Sequence, residues 1–180
     1  MNKRSQSYRC LLLVALVLLE VVACKPADRV FLDSGPLFPA KVVRVNDGDT
    51  IEVRVDGNEY LVNYIGIDAP EALDNNGGDE SFAREASQRN KELVGGRLVY
   101  LEKDVSETGG QDALLRYVWL EDGKMVNSLL VAEGYARAAI LPPDFLYASQ
   151  ILELEMVARN NRLGLWGVVP KEKSKAEPVP

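Results

Sequence analysis

The chain has 180 residues, 47% of them hydrophobic and 27% charged, which is enough to bury the core of one domain and excludes global disorder. It carries 27 acidic against 21 basic residues, a balance that disfavours broad electrostatic binding to nucleic acid. It has no histidine, so imidazole bases, Ser-His triads and most zinc sites are excluded, leaving carboxylates, lysine, tyrosine and water for acid–base chemistry.

The first nine residues, MNKRSQSYR, are basic, and CLLLVALVLLEVVAC after them is apolar but short for a membrane span, which is the pattern of a secretory signal. Val21-Val22-Ala23-Cys24 is similar to a bacterial lipobox. Residues 1–23 are therefore expected to be cleaved and Cys24 to carry lipid, with a plain signal peptide or an uncleaved anchor as the alternative. The second cysteine, Cys10, lies in the segment to be removed, so no disulfide framework is expected. Cleavage would remove three basic residues and one acidic one and leave a net charge of −8. Residues 24–39, with two prolines in KPADRVFLDSGPLF, read as a tether that places the protein in the bacterial envelope outside the cytoplasm, on a lipid-anchored membrane surface.

From about residue 40, KVVRVND and TIEVRV read as strands, the second alternating Ile51, Val53 and Val55 with Glu52 and Arg54. Asp56-Gly57 turns the chain into EYLVNYIGI, completing a three-stranded meander. SFAREASQRNKELVGG reads as a helix stopped by Gly95-Gly96, RLVYLEK as a strand and LLRYVWL as another. A short helix is expected from Asn127, as N-cap, to Gly134, and a last helix after Pro142-Pro143, with Tyr147, Ile151, Leu154 and Ala158 on one face. Residues 169–180 read as a disordered tail. Five strands with three helices predict a small closed barrel of mainly β, α+β class.

Two acidic clusters carry the chemistry: Asp47-Gly48-Asp49-Thr50 after the first strand and Asp68-Ala69-Pro70-Glu71 after the third. If the meander brings them together, their charges repel and raise one another's pKa unless a cation intervenes. A hard divalent ion on oxygen ligands, Ca²⁺ or Mg²⁺, resolves that conflict. Taken singly, each cluster is an ordinary turn composition.

VNDGDTIEV, YIGIDAPE, DGKMVNSLLVAEGYA and NNRLGLW, in this order, resemble the staphylococcal nuclease (thermonuclease) family over residues 40–168. The resemblance implies an OB-fold barrel of five strands with three helices. It also implies Ca²⁺ held by Asp49, Asp68 and the Ala69 carbonyl, with Glu71 as the catalytic residue acting on the attacking water and Asp47 and Thr50 supporting the metal ligands. The implied reaction is hydrolysis of a phosphodiester in single-stranded DNA or RNA by a monomer.

The chain departs from the family at two arginines that hold the phosphate. Asn63 stands at the first position, and anchoring on Tyr117-Val118-Trp119 and Asp122-Gly123-Lys124 places Ala113 at the second. Arg116 lies three residues along the strand from that position, an odd step that reverses its face. Two readings follow: a nuclease of weak or altered activity, or a catalytically inactive, lipid-anchored OB-fold module that binds a cation and an unidentified protein or envelope ligand.

Overall fold

The computed structural model describes residues 36–71 and 80–167. The signal segment, Cys10, Cys24, the first twelve residues of the tether and the tail lie outside the described residues.

Strands β1 (Phe38–Val45), β2 (Thr50–Val55) and β3 (Asn58–Tyr64) form the expected antiparallel meander. The alternation in β2 is the reason: Ile51 and Val53 are fully buried while Arg54 points to solvent. At the hairpin, Asp56 and Gly57 both take positive φ, the conformation that a two-residue turn between twisted strands demands. A two-residue strand, β4 (Ile67–Asp68), follows β3, and helix α1 (Glu80–Val94) comes next.

Strands β5 (Leu98–Glu102) and β6 (Leu114–Trp119) complete a closed barrel in the order β1-β2-β3-β6-β5. Closure rests on one parallel pairing, β3 with β6, in which Val62, Asn63 and Tyr64 lie opposite Leu114, Leu115 and Arg116. Val42, Ile51, Val53, Val62, Val99 and Val118 fill the interior. Each such side chain contributes about 1.5–3 kcal/mol on burial, so the barrel core is the main source of rigidity for what it carries.

Helix α2 (Val126–Ala132) starts at Val126 with Met125 at its N-cap, so Asn127 is not the cap. Asn127 is instead inside the helix and fully buried, where its Oδ1 accepts from Val118 N–H (2.9 Å) and its Nδ2 donates to the Ile65 carbonyl (2.9 Å). A buried amide is retained only where its groups are paired, and here the pairing fixes the segment leading into β4 against the barrel. Strand β7 (Arg137–Ala138) pairs antiparallel with β4, and helix α3 (Ala148–Asn160) packs on α2 through Ile151 and Ala158. Among the described residues no helix is long and apolar enough to cross a membrane.

Candidate functional site

The site is assembled where three pieces of chain converge. The turn between β1 and β2 carries Asp47, Gly48 and Asp49, β4 ends in Asp68, and α1 presents Ala86 and Asn90. The reason they approach so closely is Gly48: a Cβ built there would stand 2.5 Å from Ala69 Cβ and 3.0 Å from Ala86 Cβ. Only a residue without a side chain fits, so Gly48 is a contact point between the two acidic clusters and α1.

The turn is held by its own hydrogen bonds. Asp47 Oδ1 accepts from Asp49 N–H at 3.0 Å, and Asn90 Nδ2 donates to the Asp47 carbonyl at 3.0 Å. Asn90 is fully buried and its Oδ1 accepts from the Tyr64 hydroxyl at 3.0 Å. Desolvation pushes the Tyr64 hydroxyl pKa far above its ordinary value, against the hydrogen bond to Asn90, so it stays a neutral donor.

Asp49 links the two clusters directly. Its Oδ2 accepts from Ala69 N–H at 2.7 Å and its Oδ1 from the Thr50 hydroxyl at 3.3 Å. Burial pushes the Asp49 carboxyl up to about 7, although the Ala69 N–H favours its ionised form; the charges of Asp47 and then Asp68 act in the same direction as burial. A carboxylate whose neighbours are carboxylates lacks positive charge, and a hard divalent cation supplies it. Such an ion would draw carboxylate oxygens from Asp49 and Asp68, with the Ala69 carbonyl added as the family resemblance implies. Among the described residues no group of three or more Asp, Glu, His or Cys side chains is placed to hold a metal by side chains alone. The expected set is smaller, two side chains and one backbone oxygen.

Asp47, Asp49, Thr50, Asp68 and Ala69 are thus brought together, and Glu71 follows exposed, three residues beyond Asp68. Asn63 is half-buried at the end of β3, directly across the ladder from Thr50. Ala113 is fully buried just before β6.

The arginines on the barrel strands are engaged elsewhere. Arg44 pairs with Glu52, and Arg54 with Glu59 at 2.5 Å. Arg116 is buried, donates to the carbonyls of Glu107 (3.0 Å) and Leu115 (2.7 Å) and pairs with the Glu107 carboxylate. The hydrogen bonds from Lys103 and then Arg116 hold Glu107 below the ordinary carboxylate range. Arg116 lines a cleft of about 580 Å³ with Phe38, Val55, Tyr60 and Leu101, residues at the opposite ends of the strands from Asp49.

Two site residues escape a reading by acidic motifs. Asn90 is signalled by its spacing, since Phe82, Ala86 and Asn90 recur every fourth residue, which places a polar group on an apolar helical stripe. Arg137 has no such signal; only the β4–β7 pairing sets it opposite Asp68.

Comparison with known proteins agrees with the geometry. The family described as staphylococcal nuclease homologue matches residues 61–168. The thermonuclease of Staphylococcus hyicus is 37% identical over 127 residues, which cover 70% of this chain and 74% of that protein. The SPbeta prophage-derived endonuclease YokF of Bacillus subtilis (strain 168) is 38% identical over 125 residues, 68% of this chain and 42% of its own length. Endonuclease YncB of the same organism is 37% identical over 125 residues, 68% of this chain and 59% of its own. With these matches and a closed barrel of five strands flanked by three helices, the chain belongs to the staphylococcal nuclease homologue family.

Proposed function

We propose that the protein is a metal-dependent phosphodiesterase that hydrolyses single-stranded DNA or RNA slowly. The observation that carries this reading is the junction of the two acidic clusters, where Ala69 N–H donates to Asp49 Oδ2 at 2.7 Å. In this reading Asp49, Asp68 and the Ala69 carbonyl hold a divalent cation, Ca²⁺ by family resemblance. When bound, the ion polarises a phosphate oxygen. Glu71, exposed and three residues beyond Asp68, is assigned to orient the attacking water and take its proton, while Asp47 and Thr50 keep Asp49 in place through the hydrogen bonds of the turn.

The expected rate is low because Asn63 and Ala113 stand at positions where the family places its two phosphate-binding arginines. A positioned donor aimed at developing charge is worth about 10²–10³ in rate. The names of the relatives, thermonuclease and endonuclease, support hydrolysis over an inactive binding module. Residues 1–23 serve in this account as a lipoprotein signal, Cys24 as the lipidated residue, residues 24–39 as a tether and 169–180 as a tail, which puts the barrel outside the cytoplasm on a membrane surface.

The test is cleavage of single-stranded DNA by the soluble form from residue 25 with Ca²⁺, beside Glu71→Gln. Cleavage that needs both the metal and Glu71 supports the reading. Equal signals from both proteins remove it.

A further inference from the structure

Beside the acidic site runs a short basic strip that the proposed chemistry does not use. Arg137 on β7 lies directly opposite Asp68 on β4 in the antiparallel register. Both are exposed, while their neighbours Ala138 and Ile67 turn inward, so the two side chains emerge on the same outer face. Among the described residues Arg137 makes no ion pair; its guanidinium carbon lies 5.8 Å from the ring centroid of Trp166. The guanidinium carbon of Arg159, on α3, lies 4.0 Å from the same centroid.

The strip is rigid by construction. Glu155 Oε1 accepts from Ala138 N–H at 3.2 Å and pairs with Arg159 Nη2 at 3.2 Å, so one carboxylate fixes β7 to α3 and orients Arg159. An arginine stacked on an indole loses little further freedom when it binds, and its outer N–H groups are still open to a phosphate in a bidentate arrangement. In a chain of net charge −6, two guanidinium groups sharing one tryptophan beside Asp68 stand out locally.

We propose that Arg137, Trp166 and Arg159 form a phosphate-binding track that carries a single polynucleotide strand to and from the acidic site at Asp68. The inference rests on the nuclease reading for its ligand class. Charge complementarity selects the occupant: successive phosphates need cations spaced along a path, and the two guanidinium groups held against one indole supply them. The track supplies binding at a distance from the reacting bond, which offsets part of what Asn63 and Ala113 do not provide.

The experiment uses the soluble chain carrying Glu71→Gln, with Ca²⁺, and fluorescence anisotropy of labelled oligothymidylates of about 4 and about 12 nucleotides, lengths that bracket one binding site. The longer strand is expected to bind at least tenfold more tightly than the shorter. Arg137→Gln, chosen because the side chain is exposed and holds no ion pair, should abolish most of that difference. Arg137→Gln with Arg159→Gln should lower the salt slope of binding by about 0.7 for each charge removed. Arg137→Lys with Arg159→Lys should restore the slope, which a merely structural role for the strip would not do. Unchanged length dependence and salt slope in the glutamine variants, or no binding by the parent, overturns the track. The same binding results together with absent cleavage by the wild type would remove the catalytic reading and leave the track standing.

Discussion

Asp49 concentrates the electrostatic tension of the site, and its titration is accessible to measurement. Its folded pKa of about 7 lies above the ordinary value of 3.8, so the fold prefers the protonated form. The sign is therefore that its contribution to stability is full below about pH 4 and is lost as pH rises through about 7. In EDTA, wild type and Asp49→Asn should melt at similar temperatures near pH 4, and wild type should fall below the variant by pH 8. Equal melting temperatures at both pH values would remove the buried-carboxylate account. Metal binding needs the ionised form, so Ca²⁺ titration near pH 7 should release protons, seen as a buffer-dependent heat.

In the proposed reading, Asn63 is the residue expected to limit the rate most. It is half-buried opposite Thr50, whereas Ala113 is fully packed, so an arginine is accommodated more readily at the first position. Asn63→Arg is expected to raise cleavage of single-stranded DNA by about 10²-fold, the worth of one positioned donor. No gain would place the limitation elsewhere. Arg116, buried and committed to Glu107, should behave differently: Arg116→Met is expected to leave cleavage unchanged while altering stability.

At the scale of elements, the approach of α1 to the two acidic turns sets the geometry. Gly48→Ala forces a methyl into Ala69 and Ala86, which costs about 1–3 kcal/mol as overpacking and should also weaken Ca²⁺ binding. Asn90→Ala orphans the Tyr64 hydroxyl and the Asp47 carbonyl, each about 1–3 kcal/mol to leave unpaired in the interior. Urea melts of both variants, with and without Ca²⁺, check the values. The strands of the barrel are legible in the sequence because alternation such as Ile51-Glu52-Val53-Arg54 has only one reading. The β4–β7 pair is not, since two residues are too few to show a period. Asn127 departs from the expected cap for a related reason: asparagine before an apolar run marks a cap, and only tertiary pairing with Val118 and Ile65 puts it inside the helix.

At the scale of the whole molecule, β1 runs from the cleft lined by Phe38 to the turn that carries Asp47 and Asp49, so those two features sit at opposite ends of the barrel strands. A small closed barrel is legible in the order of five strands and three helices, but the parallel β3–β6 pairing that closes it is announced by no local pattern. The acidic clusters were visible as motifs because their residue types and order are unusual together, while the strip at Arg137 depended on tertiary register. The envelope assignment rests on Cys24: Cys24→Ala is expected to move the protein from the membrane fraction to the soluble fraction, and unchanged fractionation would contradict lipidation.

The central claim is that a metal and Glu71 act together at the junction of the acidic turns. It is tested most directly by the rate of single-stranded DNA cleavage by the soluble protein, with Ca²⁺ and with EDTA, for wild type and Glu71→Gln. The account predicts slow cleavage by wild type with Ca²⁺ that disappears in EDTA and falls at least 10²-fold in the variant. Cleavage that persists in EDTA, or that is equal in both proteins, would contradict it.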